Sequence, residues 1–547
     1  MNNTIALNQE TMIDHYTSKN TVSFGLVRTP YRSMGWTDAE AVEYVLEKFT
    51  FGGTDELRER LKKIGVDVWL TEQLTAKTDV DFEKRALRKF PTTGLSLKQL
   101  ARTYPGLIVT LKSVAQHLRA TGKKTLRGQI SFNDMFGTIL RNVQKVDRRW
   151  FYQMPNASML EAPMKSMGLG NFMELMYELA GQKLFRAVHA PNQLEERLVD
   201  FWFNHFNVSI TRINDVATNV LSYERDAIRP FVLKHFNRML AATARHPAML
   251  TYLDNTLSNA KKGAAVLSNV PLMPFRHKKQ QPGINENYAR ELLELHTLGV
   301  DGGYQQRDVI EIARILTGWK TSPLLYPISK KLEGIVLENE RKSKKSFIDN
   351  GFYFDAARHD AEAKTVLGRH YNEKKGYEEG QQLIQQLATH SSTADHISKK
   401  LAMYFVSDTP SFVLIAKMAD IFGKTEGHIG ATIRTMVEAP EFWNPIYRKA
   451  KAKSPFDFVV SMFRENGAII EDASAPLKWL SSNGQPLYAF QPPTGYPTIQ
   501  EFWINEAAIA QRIKFAYALS AGNMEGISPT RPLAPIQRYT SPQFQKR

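Results

Sequence analysis

The chain has 547 residues and no cysteine. Disulfides, thiol nucleophiles and cysteine-ligated metals are therefore excluded. No apolar run approaches the roughly 20 residues that a membrane-spanning helix needs. The opening stretch, MNNTIALNQETMIDHYTSKN, has no basic flank followed by an apolar core, so it does not read as a secretory leader. A periplasmic or extracellular location is expected if a leader has been removed, and a cytoplasmic one if Met1 is the native start. Several motifs are also missing: a GxxxxGK[ST] phosphate loop, HExxH, an EF-hand loop, a GxSxG elbow and a GxGxxG after a strand. No nucleic-acid-binding module, fixed-period repeat or low-complexity block is recognisable.

What is present is an ordinary globular composition, 43% hydrophobic and 23% charged, with a strong basic excess: 71 Lys and Arg against 55 Asp and Glu, a net +16. That balance favours acidic partners such as nucleic acid, anionic polysaccharide or an anionic membrane surface. The basic residues fall in short clusters, Arg276 to Lys279, Arg341 to Lys345 and Arg448 to Lys453, which is also how solvated loops look.

The most informative stretch is Asn285 to Trp319, read as helix, turn and helix. Asn285 is a good N-cap, Gly299 a natural C-terminal residue, and Asp301-Gly302-Gly303 a turn. Val309, Ile312, Ala313 and Leu316 recur at helical spacing, and Gly318 closes the second helix. In the first helix Asn287, Arg290, Glu291 and Glu294 fall at i, i+3, i+4 and i+7, so they share a side, while the leucines point elsewhere. If the helix packs on several sides, these polar groups are partly buried and need partners. A solvated face carrying Arg-Glu pairs is the plainer alternative.

The rest reads as helix after helix. Thr37 to Glu40 is a capping box, Phe51-Gly52-Gly53-Thr54 a turn with Thr54 as the next cap, and Leu97 to Ala120, Ser131 to Phe151 and Asn171 to Ala187 are helical. Asn192 caps a helix whose apolar stripe includes His205, with Asp200 and Asn204 as an adjacent i, i+4 pair. Pro230 breaks a helix, and His246-Pro247 begins a short one. Phe352-Tyr353-Phe354 favours a strand. Ser392 to Phe405, Ser411 to Phe422, Thr432 to Ala439 and Phe456 to Arg464 are helices, and Thr498 to Glu501 is a capping box expected to open the last long one. The predicted fold is mainly α: a large multi-helix single domain, with room for two lobes and a small β-hairpin or ordered loop around residues 325–370. Residues 1–35 are expected to form a flexible arm, 36–521 the helical domain and 522–547 a proline-rich tail.

Five further segments join the central stretch: RLVDFWFNHFNVS (Arg197 to Ser209), HPAMLTYLDN (His246 to Asn255), FYFDAARHDAEAKTVLG (Phe352 to Gly368), AKSPFDFVVSMFR (Ala452 to Arg464) and FWINEAAIAQR (Phe502 to Arg512). In content and order they closely resemble the bacterial "domain of unknown function 1800" family over most of the chain. The resemblance implies a helical domain but no established activity. Members are commonly exported and often encoded beside a sulfatase- or phosphatase-like family, which implies such a partner.

Polar residues inside these apolar segments are the candidates for chemistry. Glu291, His205, Asp254 and His359 are the expected catalytic groups, and Arg290, Asn204, Asn287 and Asp360 the expected binding groups. Brought together, they would offer Glu291 as acid or base, an imidazole partner, a second carboxylate and an arginine to hold an anion, a set suited to hydrolysis. His205 and His359 with Glu291 or Asp360 could instead hold a divalent metal, although no ligand motif marks one, and His296 has Leu293 three residues before it rather than an acid. A buried polar network that locks helices together would use the same residues without catalysis. Two functions are thus expected to compete: a hydrolase acting on an anionic polymer or cell-envelope component, and a non-catalytic helical scaffold or binding protein working with a partner enzyme.

Overall fold

Side-chain caps set where most helices begin. Thr37 and Glu40 exchange bonds to open α1 (Asp38–Phe49), and Thr54 and Asp79 cap α2 (Asp55–Ile64) and α4 (Val80–Lys89), with α3 (Val66–Thr75) starting directly after Gly65. The computed structural model describes residues 25–105, 164–211, 216–260, 283–325, 346–531 and 536–547, with short pieces between them at 110, 113–114, 117, 125–126, 130–131 and 338. Residues 25–35 pack on the body, with Val27 and Tyr31 buried.

A capping box at Ser96 and Gln99 opens α5 (Leu97–Thr103). The helix expected to run on to Ala120 ends at Thr103, two residues before Pro105, which disfavours helical backbone just ahead of it. The helix expected from Ser131 is corrected at its first residue. Ser131 lies in strand β2 (Ile130–Ser131), paired with β1 (Thr125–Leu126), and residues 132–151 fall outside the described residues. Next come α6 (Phe172–His189), α7 (Gln193–His205, capped by Asn192) and α8 (Val216–Ser222). A π-helical turn, Tyr223–Ile228, and a 3-10 turn at Pro230 continue α8, followed by α9 (Phe236–Arg245) and α10 (Pro247–Tyr252), which His246 caps.

The central stretch is α11 (Asn287–Glu291), a second π-helical turn (Leu292–His296) and α12 (Gln306–Ile315). Small sheets follow, where the β element was expected. β3 (Trp319–Thr321), β4 (Phe347–Asp349) and β5 (Phe352–Phe354) form an antiparallel sheet in the order β3-β5-β4, with Trp319 and Phe347 opposite Phe354. β6 (Lys364–Val366) and β7 (Arg369–Tyr371) make a hairpin.

The C-terminal half packs α13 (Tyr377–Ala388), α14 (Ser391–Phe405), α15 (Phe412–Lys424) and α16 (Ile429–Glu438) in sequence, then α17 (Pro455–Glu465) and α18 (Ser474–Ser482). The capping box expected at Thr498 does not open the long helix. A single turn, α19 (Gln500–Trp503), comes first, and Asn505 then caps α20 (Glu506–Ser520) by accepting from the Ala508 amide at 2.9 Å. The stretch read from its prolines as a tail packs into the body. Between β8 (Ile469–Ile470) and β9 (Ile527–Ser528) runs an antiparallel pairing, and α21 (Ile536–Thr540) buries Tyr539. One contiguous core runs from Val27 to Tyr539, with Trp69, Trp202, Trp319 and Trp443 fully buried.

Candidate functional site

The central helix does not begin as expected. Asn285 lies one residue before the N-cap, Glu286, and its Oδ1 accepts from the Asn287 amide at 3.0 Å. Asn285 and Asn287 then donate side-chain amides to the carbonyls of Asp254 and Leu253, each at 3.2 Å. Both asparagines therefore staple this helix to the turn after α10, where Asp254 takes left-handed backbone with φ 61°. Arg290 is half-exposed and bonds Glu286 at 3.4 Å and Gln306 at 2.9 Å. The π turn widens the helix just beyond Glu291 and sends Leu292, Leu293 and His296 inward. Glu291 is partly buried, and burial, with Glu294 beside it, raises its carboxyl above the usual range.

His205 is enclosed. Its Nε2 lies 3.1 Å from the His296 carbonyl and donates to it, and its ring stands 6.2 Å from both the His296 and His396 rings. Burial, then nearby Lys400, pushes His205 well below the ordinary imidazole range, His296 to about 3 and His396 to about 4. These imidazoles are neutral. They do not form a metal cage: among the described residues no group of three or more acidic or imidazole side chains is placed to hold an ion.

His359 and Asp360 belong to a different neighbourhood. His359 Nδ1 donates to the Thr317 carbonyl at 2.9 Å, and its Nε2 is 3.6 Å from Glu379 Oε1. Glu379 is fixed from its other oxygen by Lys364 at 2.6 Å. Asp360 takes Arg314 in a fork at 2.9 and 3.2 Å, and although burial opposes its charge, those bonds hold its carboxyl low. His205 and His359 thus each bond the backbone of a separate segment, buried on opposite ends of the central helix pair.

An open cleft forms elsewhere, and of the eight expected site residues only Asn204 lines it. Its volume is about 70 Å³. Lys183 on α6 reaches Asp200 on α7 at 3.0 Å and Glu224, on the first π turn, at 3.8 Å. Burial disfavours the lysine's charge, but these acids outweigh it and raise Lys183 above its ordinary value. Tyr404 donates to Asp200 at 3.1 Å and Tyr488 to Glu224 at 2.8 Å. Asn204 holds Tyr496 both ways, donating to its carbonyl at 2.9 Å and accepting from its amide at 2.7 Å. Gly495 must be glycine here: its φ is +71°, and a Cβ would fall 2.1 Å from the Asn204 carbonyl oxygen. Asn207 donates to the Phe490 and Pro492 carbonyls at 2.9 and 2.8 Å. Phe203, Tyr404, Tyr488, Tyr496 and Trp503 supply aromatic walls.

Behind the cleft, Arg197 is fully buried, its guanidinium 4.6 Å from the ring centroids of both Phe51 and Tyr404 and hydrogen-bonded to Asp457. Burial opposes the Asp457 charge, but Arg197 and Arg547 hold its carboxyl far below the usual range. Asp457 and Arg547 form a wall shared with a second cleft on their far side. Lys183, Tyr404, Asp457 and Arg547 were not anticipated. Asp457 and Arg197 carried the same signal as His205, a polar residue inside an apolar segment (SPFDFVV and RLVDFWF).

The molecule is a mainly helical body with a polar cleft where α7, α17 and α19 meet. The chain belongs to the family described as "Protein of unknown function (DUF1800)", which matches residues 44–546, nearly its whole length. No curated protein matches it. No solved structure matches it.

Proposed function

We propose that this protein is a binding protein for an anionic carbohydrate, taken up in the cleft at Asn204, and that it does not itself cleave the ligand. The observation that carries this reading is convergence. Three of the segments on which the family resemblance rested, Arg197 to Ser209, Ala452 to Arg464 and Phe502 to Arg512, contribute residues to that one cleft. Aromatic side chains beside fixed amide, carboxylate and ammonium groups suit the hydroxyl edge of a sugar at the cleft mouth, where about 70 Å³ admits a ring substituent rather than the whole ring. The basic excess of the chain favours a negatively charged polymer. The expected imidazoles, by contrast, are buried and hold backbone carbonyls, as in a structural network.

Isothermal titration with uronate oligomers tests this. Binding should be present in the full chain and fall at least about tenfold when Trp503→Ala or Asn204→Ala opens the cleft, the loss expected when a central aromatic or amide anchor goes. No binding by the unaltered protein would end the reading.

One observation supports hydrolysis instead: the raised, half-exposed carboxyl of Glu291 beside Glu294, the environment of a general acid. If the oligomers are cleaved and Glu291→Gln abolishes cleavage while melting normally, the protein is a hydrolase and the binding reading is wrong about turnover.

A further inference from the structure

The second cleft, on the far side of the Asp457–Arg547 wall, has a volume of about 310 Å³ and lies among α1, the Phe51–Gly53 turn, α17 and the C-terminal stretch. Arg58, Lys449, Lys453, Arg538 and Arg547 line it together with four carboxylates. Three of those acids are committed at the rim: Glu43 to Arg58 at 2.8 Å, Glu47 to Lys449 at 3.9 Å, and Glu465 to Arg538. The fourth, Asp457, is held by Arg197 and lies 3.4 Å from Arg547 Nε.

The floor is left with more cation than acid: Arg547 shares the single carboxylate of Asp457 with Arg197, and Lys453 has no acid within ion-pair distance among the described residues. Lys453 is nine-tenths buried, donates to Ser461 Oγ at 3.0 Å and stands 3.7 Å over the Phe544 ring, and among the described residues no carboxylate pairs with it. Arg547 is as deeply buried, and its Nε and Nη1 make no hydrogen bond. Two buried arginines on one carboxylate beside an unpaired buried lysine leave a net positive charge that is costly unless a further anion joins the cleft.

We propose that this second cleft is an oxyanion site, in which Lys453 and Arg547 at the floor, with Arg58, Lys449 and Arg538 at the rim, hold one sulfate, phosphate or carboxylate group of the ligand. It rests on the reading that this face of the molecule binds an anionic polymer, and it says where the charged group goes. Burial pushes the Lys453 amine down to about 7. The charged groups facing it are Asp457 and Glu465 on α17, Glu47 on α1 and Arg512 on α20, none within ion-pair distance. An arriving oxyanion would restore its proton, so binding takes up about one proton above neutrality.

Inorganic sulfate, whose own charge is constant, is the probe. Calorimetric titration of the full chain at constant ionic strength should show sulfate binding at pH 6.5 that weakens about tenfold per pH unit above 7. Lys453→Met should reduce the affinity at pH 6.5 at least about tenfold, the loss of one charge-assisted contact. Lys453→Arg should keep the binding and lose the pH dependence, a result that a merely structural lysine would not give. Equal sulfate affinity in the unaltered protein and Lys453→Met would overturn the site. If sulfate does not bind while uronate oligomers do, the oxyanion assignment fails and the first cleft stands. If neither binds, both fall.

Discussion

Arg197 is the side chain with most at stake. It is wholly buried, clamped between two aromatic rings and answered by a single hydrogen-bonded carboxylate. Its Nε and Nη2 make no hydrogen bond. Asp457→Asn would leave that guanidinium without its counter-charge and should cost roughly 3–5 kcal/mol, as removal of one member of a buried ion pair does. Urea unfolding followed by circular dichroism measures it, and a loss below about 1 kcal/mol would mean that Arg197 is compensated elsewhere. Asp457 also closes the capping box with Ser454, so asparagine, which keeps an acceptor there, isolates the charge better than alanine. At this scale the sequence was half legible. Polar residues in apolar segments did mark buried, committed groups, but nothing in one strand of text says which of them face a common hollow. Asn204 does, whereas His205, one residue on, turns to the opposite side and bonds the His296 carbonyl.

Helix boundaries show where local chemistry decides and where it is overruled. Thr37, Thr54 and Asn192 all cap as their spacing implied. Thr498 to Glu501 has the same spacing and does not, because Lys451 and Asp408 take the backbone there: Lys451 donates to the Thr498 carbonyl at 2.6 Å, and the Gln500 amide donates to Asp408 at 2.9 Å. Asn505→Ala should therefore destabilise the protein by about 1 kcal/mol and Thr498→Ala by much less, compared by urea midpoints. The reverse order would restore Thr498 as the true start of the helix. The two π turns were not readable at all. A π turn inserts one residue into an α-helix without changing its composition, and its cause is tertiary. At Tyr223–Ile228 it brings Glu224 to Lys183 and Tyr488, and at Leu292–His296 it swings His296 inward. The periodic leucines of the central helix were right about packing, yet the shared face assigned to Asn287, Arg290, Glu291 and Glu294 assumed an unbroken α spiral.

At the scale of the whole molecule, burial of bases sets the pH response. His246, His296 and His396 have folded values near 3, 3 and 4 against 6.5 free, with His205 also displaced downward. Each contributes nothing above 6.5, where it is neutral in both states. Below 6.5 the unfolded chain binds the proton first, so stability falls with acid by roughly 1.4 kcal/mol per pH unit for each, until the folded value is reached. Lys48, Lys320 and Lys453 are displaced to about 7 from 10.5, with burial as the leading cause. Between 7 and 10.5 they too are neutral in the fold and charged when unfolded, so stability rises with pH through that window. Two effects oppose this. Buried acids raised above 4.5, such as Glu47 and Glu465, lose stability as pH rises just above that value, and buried tyrosines, such as Tyr288, do so above 10 when the unfolded phenol ionises. The balance places the optimum on the alkaline side, near pH 10, rather than in the commoner range of about 5 to 8. Urea midpoints taken at pH 5, 7 and 9 should increase in that order, with Lys48→Met flattening the upper half and His296→Gln the lower half. A midpoint that falls from pH 7 to 9 would show that these lysines keep their protons in the folded chain, and with them the positive charge that the oxyanion cleft would then hold without any proton uptake.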